Sequence, residues 1–369
     1  MPSSGIHFDE RGGALRGCLD LVAGRFPRFL FGGRITLGLL PVFHFHDVTC
    51  EELEPQLRYL AENGYRTVRA DEIAAHVAGT APVPGAGVAL CFDDAWASLW
   101  SVAAPLLKQY GLTAITYAIP ARMVDADSCR STIADAGGTS STGSPFVTWP
   151  ELRALQSSGV VDVQSHTDSH SNIFCAAAIN GFVTPAYAGT PFLNRPQLSP
   201  QPLLRFVRAA DLGAPLYPAR SRMSTARRVS VSIDAHERCV RHVAESGGAA
   251  FFSRSGWQDE LTRIAASGQA PEHETDEQQG RAIEAELDRS RSVLNERLGT
   301  QSVNHICLPW GVSSPRTAEA LARVGYRSAF ANRLRGTHAV KPGDDPFWLK
   351  RLPNKYIFRL PGRGRRIWG

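Results

Sequence analysis

Short apolar runs alternate with helical repeats along most of this chain. The runs at residues 88–92, 113–119, 160–163, 303–308 and 326–330 are typical of buried strands, because each is short and ends in polar or turn residues. Between them, leucine and other apolar residues recur at helical spacing. This strand–helix alternation predicts parallel strands joined by right-handed crossovers.

A further strand is expected at each end of this pattern. Residues 34–45 predict the first strand and residues 348–352 the last. Helices with capping-box spacing are predicted to begin at Thr49, Thr148 and Thr275. We therefore expect an α/β fold, a distorted (β/α) barrel of six to seven parallel strands, smaller than a full eight-stranded barrel.

The barrel pattern is interrupted by a long segment of different composition. It is too long for a loop, its first half is rich in proline, and its second half has helical spacing. An insertion at a barrel rim would form a wall of the substrate site. The predicted organisation is an N-terminal arm (1–33), a barrel (34–175 and 274–353), an insertion (176–273) and a basic tail (354–369).

Residues of metal-ligand type follow two of the predicted strands. Asp93 and Asp94 end the run at 88–92, and His166 and His170 follow the run at 160–163. One carboxylate and two imidazoles make a divalent metal site with positions open for water and substrate. The other carboxylate is then free to act as a base on that water. An Asp–Asp pair alone is more often a turn or a helix cap, so the prediction depends on both clusters.

These two clusters resemble the first two motifs of the polysaccharide deacetylase (NodB-homology) family of carbohydrate esterases, similar to carbohydrate esterase family four. The resemblance rests on Phe92-Asp93-Asp94, His166-Thr167-Asp168-Ser169-His170, the lead-in Thr148-Trp149-Pro150-Glu151-Leu152, and Leu308-Pro309-Trp310-Gly311.

The resemblance implies a metal-dependent hydrolase that removes the N-acetyl group from an N-acetylated sugar. Carried over residue by residue, it makes Asp94, His166 and His170 the ligands of Zn²⁺, or of Co²⁺, Mn²⁺ or Ni²⁺. It makes Asp93 the general base.

Three positions depart from the pattern of that family. The glycine after the aspartate pair is Ala95 here, which predicts a slightly different turn because alanine disfavours left-handed backbone angles. The arginine that tethers the base in the family is replaced by Cys307. The family's last motif supplies a histidine that protonates the leaving amine, and the nearest candidate here is His338.

Four residues are predicted to bind substrate. Trp96 follows the aspartate pair, and His46 ends the first strand, where family members often carry an aromatic-His pair. Trp310 would form an aromatic floor, and Arg222 in the insertion would meet a phosphate or carboxylate. Simpler alternatives are a strand-end histidine bonded to backbone, a core tryptophan and a solvated arginine.

Composition and charge indicate a soluble globular protein. The 369 residues are 43% hydrophobic and 20% charged, and the net charge is +5. Residues 355–366 hold five cations and no acid, with aromatic residues between them. Such a tail would suit an anionic membrane surface, and the alternative is a solvated basic tail.

Cysteine usage and the lack of an export signal favour a cytoplasmic enzyme, peripheral to the membrane through its tail. The seven cysteines are odd in number and include no Cys-x-x-Cys, which argues for a reducing compartment. No secretory signal or clean apolar span of about twenty residues is visible.

We expect as substrate an N-acetylated glycan or a lipid- or nucleotide-linked precursor, with the precursor favoured, and no nucleic-acid partner. The alternatives are a deformylase or other non-peptide amide hydrolase, and a non-catalytic glycan-binding barrel.

Overall fold

The computed structural model describes residues 22–83, 85–135, 143–266, 271–331 and 338–367. Their strands are, in chain order, β1 (Val42–Phe45), β2 (Arg66–Thr67), β3 (Gly87–Asp94), β4 (Ala114–Ala118), β5 (Val161–Ser165), β6 (Asn172–Phe174), β7 (Gly181–Phe182), β8 (Pro196–Ser199), β9 (Arg205–Phe206), β10 (Pro215–Leu216), β11 (Ala219–Ser221), β12 (Val229–Ser230), β13 (Glu272–His273), β14 (His305–Cys307), β15 (Ser328–Phe330) and β16 (Leu352–Pro353). Their α-helices are α1 (Cys50–Glu62), α2 (Ala70–Val77), α3 (Ala104–Gln109), α4 (Trp149–Ser158), α5 (Ile233–Glu245), α6 (Trp257–Ala266), α7 (Asp276–Leu298) and α8 (Pro315–Val324).

The main sheet is the distorted parallel barrel that the sequence predicts. Among the described residues, seven strands follow one another in the order β15-β14-β5-β4-β3-β1-β16, and β2 pairs with β3 outside this path. Every pairing in this sheet is parallel. Asp93 lies opposite Tyr117, and Tyr117 opposite Gln164, so the carboxyl ends of β3, β4 and β5 meet at one edge.

One short segment contacts both ends of this sheet. Leu349 forms an isolated parallel bridge with Phe330 of β15. Three residues later, Leu352 pairs with Phe43 of β1. Residues 349–353 therefore form a seam between β15 and β1, and Arg351 lies within it.

Apolar strand residues fill the sheet interior, as their run lengths predict. Cys91, Ile115 and Tyr117 are fully buried in one cluster, to which α2 adds Ile73 and Val77. The hydrophobic effect of this burial is the main term holding the barrel together.

The first strand is shorter than the predicted 34–45. Gly38 adopts a left-handed conformation, with φ of 76°. Leu40 instead forms an antiparallel bridge with Val340. Parallel pairing therefore begins only at Val42.

The three predicted capping sites are observed. Thr49 accepts from the backbone N–H of Glu52, and the Thr148 backbone N–H donates to the Glu151 carboxylate over 2.8 Å. Thr275 donates its backbone N–H to the Gln278 side chain and accepts from the Gln278 N–H. Each pair satisfies donors that a helix leaves unbonded at its N-terminus.

Residues 170–283 form a compact unit of their own. It contains a four-stranded sheet in the order β11-β6-β8-β9, and helices α5 and α6. Two apolar clusters, around Phe174 and Phe251, give it a core. This unit overlaps the predicted insertion at 176–273, whose role as a substrate wall stays a prediction.

The described parts of the segments that flank the barrel in sequence, residues 22–33 and 354–367, pack against the rest of the protein. In the predicted arm, Phe29 is fully buried, and in the predicted basic tail so are Ile357 and Leu360. Arg365 donates to the carbonyls of Phe29, Gly32 and Gly33. Within the described ranges, no helix combines the length and the apolar character needed to cross a bilayer.

Candidate active site

The ends of β3 and β5 bring three ligand-type side chains together. Asp94, His166 and His170 are buried, and each offers a ligand atom within 4.8 Å of the other two. The His166 backbone N–H donates to the Ala118 carbonyl at the end of β4 over 2.8 Å, which fixes the start of the histidine motif against the sheet edge.

Hydrogen bonds orient two of these three side chains. His166 Nδ1 lies 2.6 Å from the Cys307 carbonyl oxygen, which can only accept, so Nδ1 carries the proton. Nε2 then faces Asp94 Oδ1 at 3.4 Å. The indole Nε1 of Trp96 donates to Asp94 Oδ2 over 2.9 Å. Trp96, predicted as a substrate contact, thus orients the carboxylate of a candidate metal ligand.

Asp93 is held by an arginine that the sequence did not identify. Both carboxylate oxygens of Asp93 accept from Arg351, each over 2.7 Å. Burial alone would raise the pKa of Asp93, but the charge and hydrogen bonds of Arg351 hold that pKa well below its usual range. Asp93 is therefore ionised at neutral pH.

Arg351 lies beside Cys307, the position at which the resemblance predicts an arginine. Its Nη2 lies 2.9 Å from Cys307 Sγ, so the guanidinium occupies the space beside the residue that replaces the family's arginine. The partner of Asp93 is therefore supplied by the seam instead of by β14. The two residues are separated by 258 positions, and sequence spacing offers no signal for their contact.

Two other groupings also place ligand atoms within 4.8 Å, namely His44 with His46 and Asp93, and Asp93 with His166 and Cys307. Both require Asp93, whose charge Arg351 already neutralises, and the guanidinium would repel a second cation. Burial also raises the pKa of the Cys307 thiol, which disfavours the thiolate that a metal needs. The set of Asp94, His166 and His170 fits a divalent cation better.

His46 lies beside Asp93 and is accessible to solvent. Its Nε2 is 3.8 Å from Asp93 Oδ2, and its side chain is 56% exposed. His44, with its ring 5.7 Å away, is half-buried, and burial followed by the charge of Arg351 lowers its pKa to about 4. Of the two, His46 is the one placed to exchange protons with water.

Two of the predicted site residues, His338 and Arg222, do not lie with the cluster around Asp93 and Asp94. His338 stacks on Phe26 at 4.2 Å and precedes Val340, which pairs with Leu40 ahead of β1. That is the amino-terminal side of the barrel, opposite the edge that carries Asp93. Arg222 makes two hydrogen bonds to Glu274, at 2.6 and 3.1 Å, with both side chains mostly buried, so its charge is satisfied within its own unit.

Backbone strain is concentrated in these motifs. In the described ranges, the non-glycine residues with positive φ are Asp94, Ala95, Thr167, His170 and Trp310. The prediction that Ala95 would avoid this region was wrong, because its φ is 53° and its methyl group is fully buried. Such conformations cost about 1–3 kcal/mol each and are retained where the surroundings impose them. Trp310 as an aromatic floor stays a prediction.

Helix α7 supports the histidine motif. Glu286 accepts from the backbone N–H and the hydroxyl of Ser169, over 2.7 and 2.6 Å. Arg289 Nε lies 3.3 Å from the Asp168 carboxylate. These contacts fix the loop between His166 and His170, and sequence reasoning missed them because they join positions more than a hundred residues apart.

A second support lies under the lead-in to α4. Buried Arg130 donates its Nε and its backbone N–H to Glu151, each over 2.8 Å. Arg130 lies in the segment 125–145, whose glycine- and serine-rich composition at 137–144 is typical of a flexible loop, and its bonds to Glu151 fix the beginning of that segment. Residues 137–144 lie largely outside the described residues.

Three comparisons bear on the family. Residues 80–198 match the profile of a family described as polysaccharide deacetylase. Over 151 residues, 41% of this chain, the sequence is 28% identical to poly-beta-1,6-N-acetyl-D-glucosamine N-deacetylase of Escherichia coli K12, and equally to that of Escherichia coli O157:H7. The match spans 22% of each relative.

Among solved structures, the BpsB deacetylase domain from Bordetella bronchiseptica is similar, with a TM-score of 0.52 at 17% identity. The similarity covers 85% of this chain and 95% of that domain. At this identity it shows a shared fold and nothing more.

Proposed function

We propose that this chain, whose residues 80–198 match the polysaccharide deacetylase family, is a metal-dependent hydrolase that removes the N-acetyl group from an N-acetylated sugar. One observation carries the proposal, the ionised Asp93 clamped by Arg351 beside the buried set of Asp94, His166 and His170. A binding protein has no need of a carboxylate held in that state.

The donor set fits a divalent transition metal. One carboxylate oxygen and two imidazole nitrogens suit Zn²⁺, and also Co²⁺, Mn²⁺ or Ni²⁺. The hydrogen bond from His166 Nδ1 to the Cys307 carbonyl fixes the tautomer in which Nε2 is the nitrogen that would bind the metal. A divalent cation held there would supply Lewis acidity that lowers the pKa of water and polarises the acetamide carbonyl.

Asp93 is the base in this proposal. It accepts a proton from the attacking water, whose oxygen adds to the acetamide carbon. Arg351 sets the direction of its carboxylate, because two parallel hydrogen bonds leave little rotational freedom. Arg351 is thus a positioning residue.

His46 is the proposed proton donor to the leaving nitrogen. The C–N bond breaks as that nitrogen gains a proton, which releases acetate and the amino sugar. His46 is near Asp93 and open to solvent, whereas His338 stacks on Phe26 at the other end of the barrel. We therefore transfer the acid role from His338 to His46.

The substrate class follows from the relatives only in outline. The Escherichia coli relatives are named for poly-beta-1,6-N-acetyl-D-glucosamine. For this chain we propose an N-acetylated glycan or a linked precursor of one, in the cytoplasm. Formyl in place of acetyl is the competing chemistry on the same site.

The test is acetate release combined with metal analysis. Purified protein should release acetate from an N-acetylglucosamine oligomer or glycoside, lose this activity to a chelator and regain it with Zn²⁺ or Co²⁺. Asp93→Asn should lower kcat by roughly 10²–10⁴-fold, because it removes the base. It should retain the metal, because Asp94, His166 and His170 are untouched. Release of formate alone from an N-formyl analogue would favour the deformylase, and equal acetate release by Asp93→Asn would refute the assigned base.

A further inference from the structure

We infer that the amino side of the barrel carries a docking surface for a membrane that contains anionic phospholipids. Two stretches of the chain form this surface, the leading segment (residues 28–37) ahead of β1 and the trailing segment (residues 355–366) after β16. Docking of this kind holds the protein at a lipid surface and does not depend on the proposed hydrolysis.

Hydrogen bonds join the two segments to each other. Arg359 Nη1 in the trailing segment donates to the Leu30 carbonyl over 3.0 Å. Arg365 Nη2 donates to the carbonyls of Phe29 and Gly33, over 2.8 and 2.7 Å. The exposed side chains of both segments therefore project from one hydrogen-bonded backbone framework.

This framework lies at the amino side of the barrel. Helix α1 follows β1, and the next strand, β2, pairs with Gly87 and Val88 at the start of β3. The last turn of α1 is therefore at the amino side, away from the edge that carries Asp93. Asn63, directly after that turn, accepts from the Arg363 N–H over 2.6 Å and donates to the Arg363 carbonyl over 3.2 Å. The trailing segment is thus held at the end opposite the candidate active site.

The docking surface is rich in cations and has no acid of its own. No Asp or Glu occurs at residues 22–46 or after Asp345. Within the described part of the chain, five cations of the two segments are exposed and form no ion pair, namely Arg28, Arg34, Lys355, Arg363 and Arg366. Each cation near an anionic membrane raises the affinity by about fivefold. The surface is therefore complementary in charge to anionic headgroups.

Some of these cations surround a small cavity. Lys355, Arg359 and Arg366 line it with Tyr356 and Phe358, and its volume is about 240 Å³. Lys355 Nζ and Arg359 Cζ lie 5.3 and 5.0 Å from the centre of the Tyr356 ring, and Arg366 Cζ lies 4.7 Å from that of Phe358. These cation–π contacts restrict the side chains before binding, which lowers the entropy cost of holding a headgroup phosphate.

The leading segment adds exposed apolar side chains. Phe31 is 57% exposed and Leu37 is 98% exposed. Leu37 lies in a turn that is closed by the Leu39 N–H and the Thr36 carbonyl over 3.0 Å. Single exposed apolar residues are common on protein surfaces. Here two large ones lie six positions apart among exposed cations, which is the combination that interfacial binding uses.

That combination favours a membrane over other anionic partners. Cations or a small apolar group alone bind a bilayer weakly, and stable docking needs both. A soluble polyanion would engage the cations and leave Phe31 and Leu37 in water. The trailing segment alone, which the sequence suggested, lacks the apolar part, because Ile357 is fully buried and Phe358 packs against the Tyr59 ring at 5.4 Å.

The test measures binding of the full chain to lipid vesicles by flotation. We expect vesicles of phosphatidylglycerol mixed with phosphatidylcholine to bind at least about 10-fold more tightly than vesicles of phosphatidylcholine, since two cations near the surface already contribute that factor. Added salt should weaken the binding, because it screens the cations.

One double variant tests the apolar contribution. Phe31→Ser with Leu37→Ser should lower the affinity for the anionic vesicles by about 10-fold or more, because two side chains no longer leave water on docking. The salt dependence should persist. Val124→Ser is the matched control, since Val124 is 45% exposed and follows the carboxyl end of β4. It should leave the affinity unchanged.

A second double variant tests the charged contribution. Lys355→Gln with Arg366→Gln should lower the affinity by about 10- to 30-fold and reduce the salt dependence. Arg153→Gln with Arg281→Gln is the control of equal net charge, because both arginines are exposed and lie in α4 and α7. The control should bind nearly as the unmodified protein does, and thermal unfolding checks that all variants fold.

Three results would overturn the docking surface. They are equal binding to vesicles with and without phosphatidylglycerol, an affinity that survives both double variants, and binding of inorganic phosphate or an oligonucleotide without binding to vesicles. The last would assign the cations to a soluble anion.

Hydrogen exchange on the vesicle-bound protein tests which end docks. We expect slower exchange at residues 28–37 and 355–366 and no change at residues 94–98 and 166–170. Slower exchange at the latter ranges alone would place the lipid at the carboxyl end and contradict the assignment.

Discussion

Each of the two ends of the barrel carries a buried histidine whose Nε2 lies close to a carboxylate. At the carboxyl end, His166 Nε2 lies 3.4 Å from Asp94. At the amino end, His305 Nε2 lies 3.0 Å from Asp71, and His305 Nδ1 lies 2.8 Å from the Ser328 hydroxyl. In residue types alone, the amino end even has the serine, histidine and aspartate of a hydrolytic triad.

The surroundings distinguish the two ends. Ser328 and His305 are almost fully buried, so no substrate can reach the hydroxyl. Asp71 is shared with Arg327 over 3.0 Å, and its pKa is lowered, first by the hydrogen bond from His305. A cavity of about 590 Å³ beside Asp71 is lined by small apolar residues of α2 together with Arg327, Asp344 and Pro346.

The carboxyl end has three features that the amino end lacks. A third ligand-type side chain converges on the pair, a second carboxylate is held ionised, and the strained residues of the described chain gather there. Neither a histidine–carboxylate contact nor a large cavity therefore identifies a reactive site. A reactive site is indicated instead by side chains from separate strand ends that meet at strained backbone positions.

Removing His166 should have the largest effect. His166→Ala takes away one of three ligands, so we expect the bound metal, measured by plasma emission spectrometry, and acetate release to fall to background. The fold should survive, as measured by thermal unfolding. If this variant kept one metal ion per chain, His166 would not be a ligand and the carboxyl end would no longer be distinguished by a metal site.

Removing Arg351 should have the next largest effect on activity. Arg351→Met frees the Asp93 carboxylate to rotate, and we expect kcat to fall about 10²-fold with little change in KM or metal content. Restoring a guanidinium from the other side, with Cys307→Arg in the same variant, should recover part of kcat. A kcat that is unaffected by Arg351→Met would show that the clamp is structural.

The two candidate general acids, His46 and His338, lie at opposite ends of the barrel, so their variants test which end protonates the leaving nitrogen. His46→Gln should lower kcat by about tenfold, on the low side for a general acid because solvent can also reach the leaving nitrogen. His338→Gln, at the amino side, should leave kcat unchanged. The reverse order in steady-state assays would return the acid role to His338.

The smallest effect on activity should come from His305. His305→Ala leaves the Ser328 hydroxyl without its partner in a buried position, so we expect the free energy of unfolding to fall by about 1–3 kcal/mol. The kcat per folded molecule should not change, and urea unfolding with an active-site titration measures both. A loss of kcat equal to that of His166→Ala would make the amino end a second functional site.

The sequence predicts the strand ends that carry Asp93, Asp94, His166 and His170, because short apolar runs bounded by polar residues have a direct local signature. It does not reveal Arg351 or Glu286, whose partners are more than a hundred residues away. It also misjudges Ala95, since tertiary packing overrides a local backbone preference at that position.

Short strands are the other weak point of sequence reasoning. The strands of residues 170–283 are two to four residues long and pair in mixed directions, so they produce no period to read. The proline-rich first half of the predicted insertion therefore carried no strand prediction. The apolar clusters around Phe174 and Phe251 show that this region nonetheless builds a core.

The seam formed by residues 349–353 both closes the sheet and positions the Asp93 carboxylate. Because Arg351 lies between the contacts that Leu349 makes with β15 and Leu352 makes with β1, any loosening of this closure withdraws the guanidinium from Asp93. Inactivation on heating should then precede global melting. During synthesis, the Asp93 carboxylate at the end of β3 has no guanidinium partner until this later stretch of polypeptide has docked.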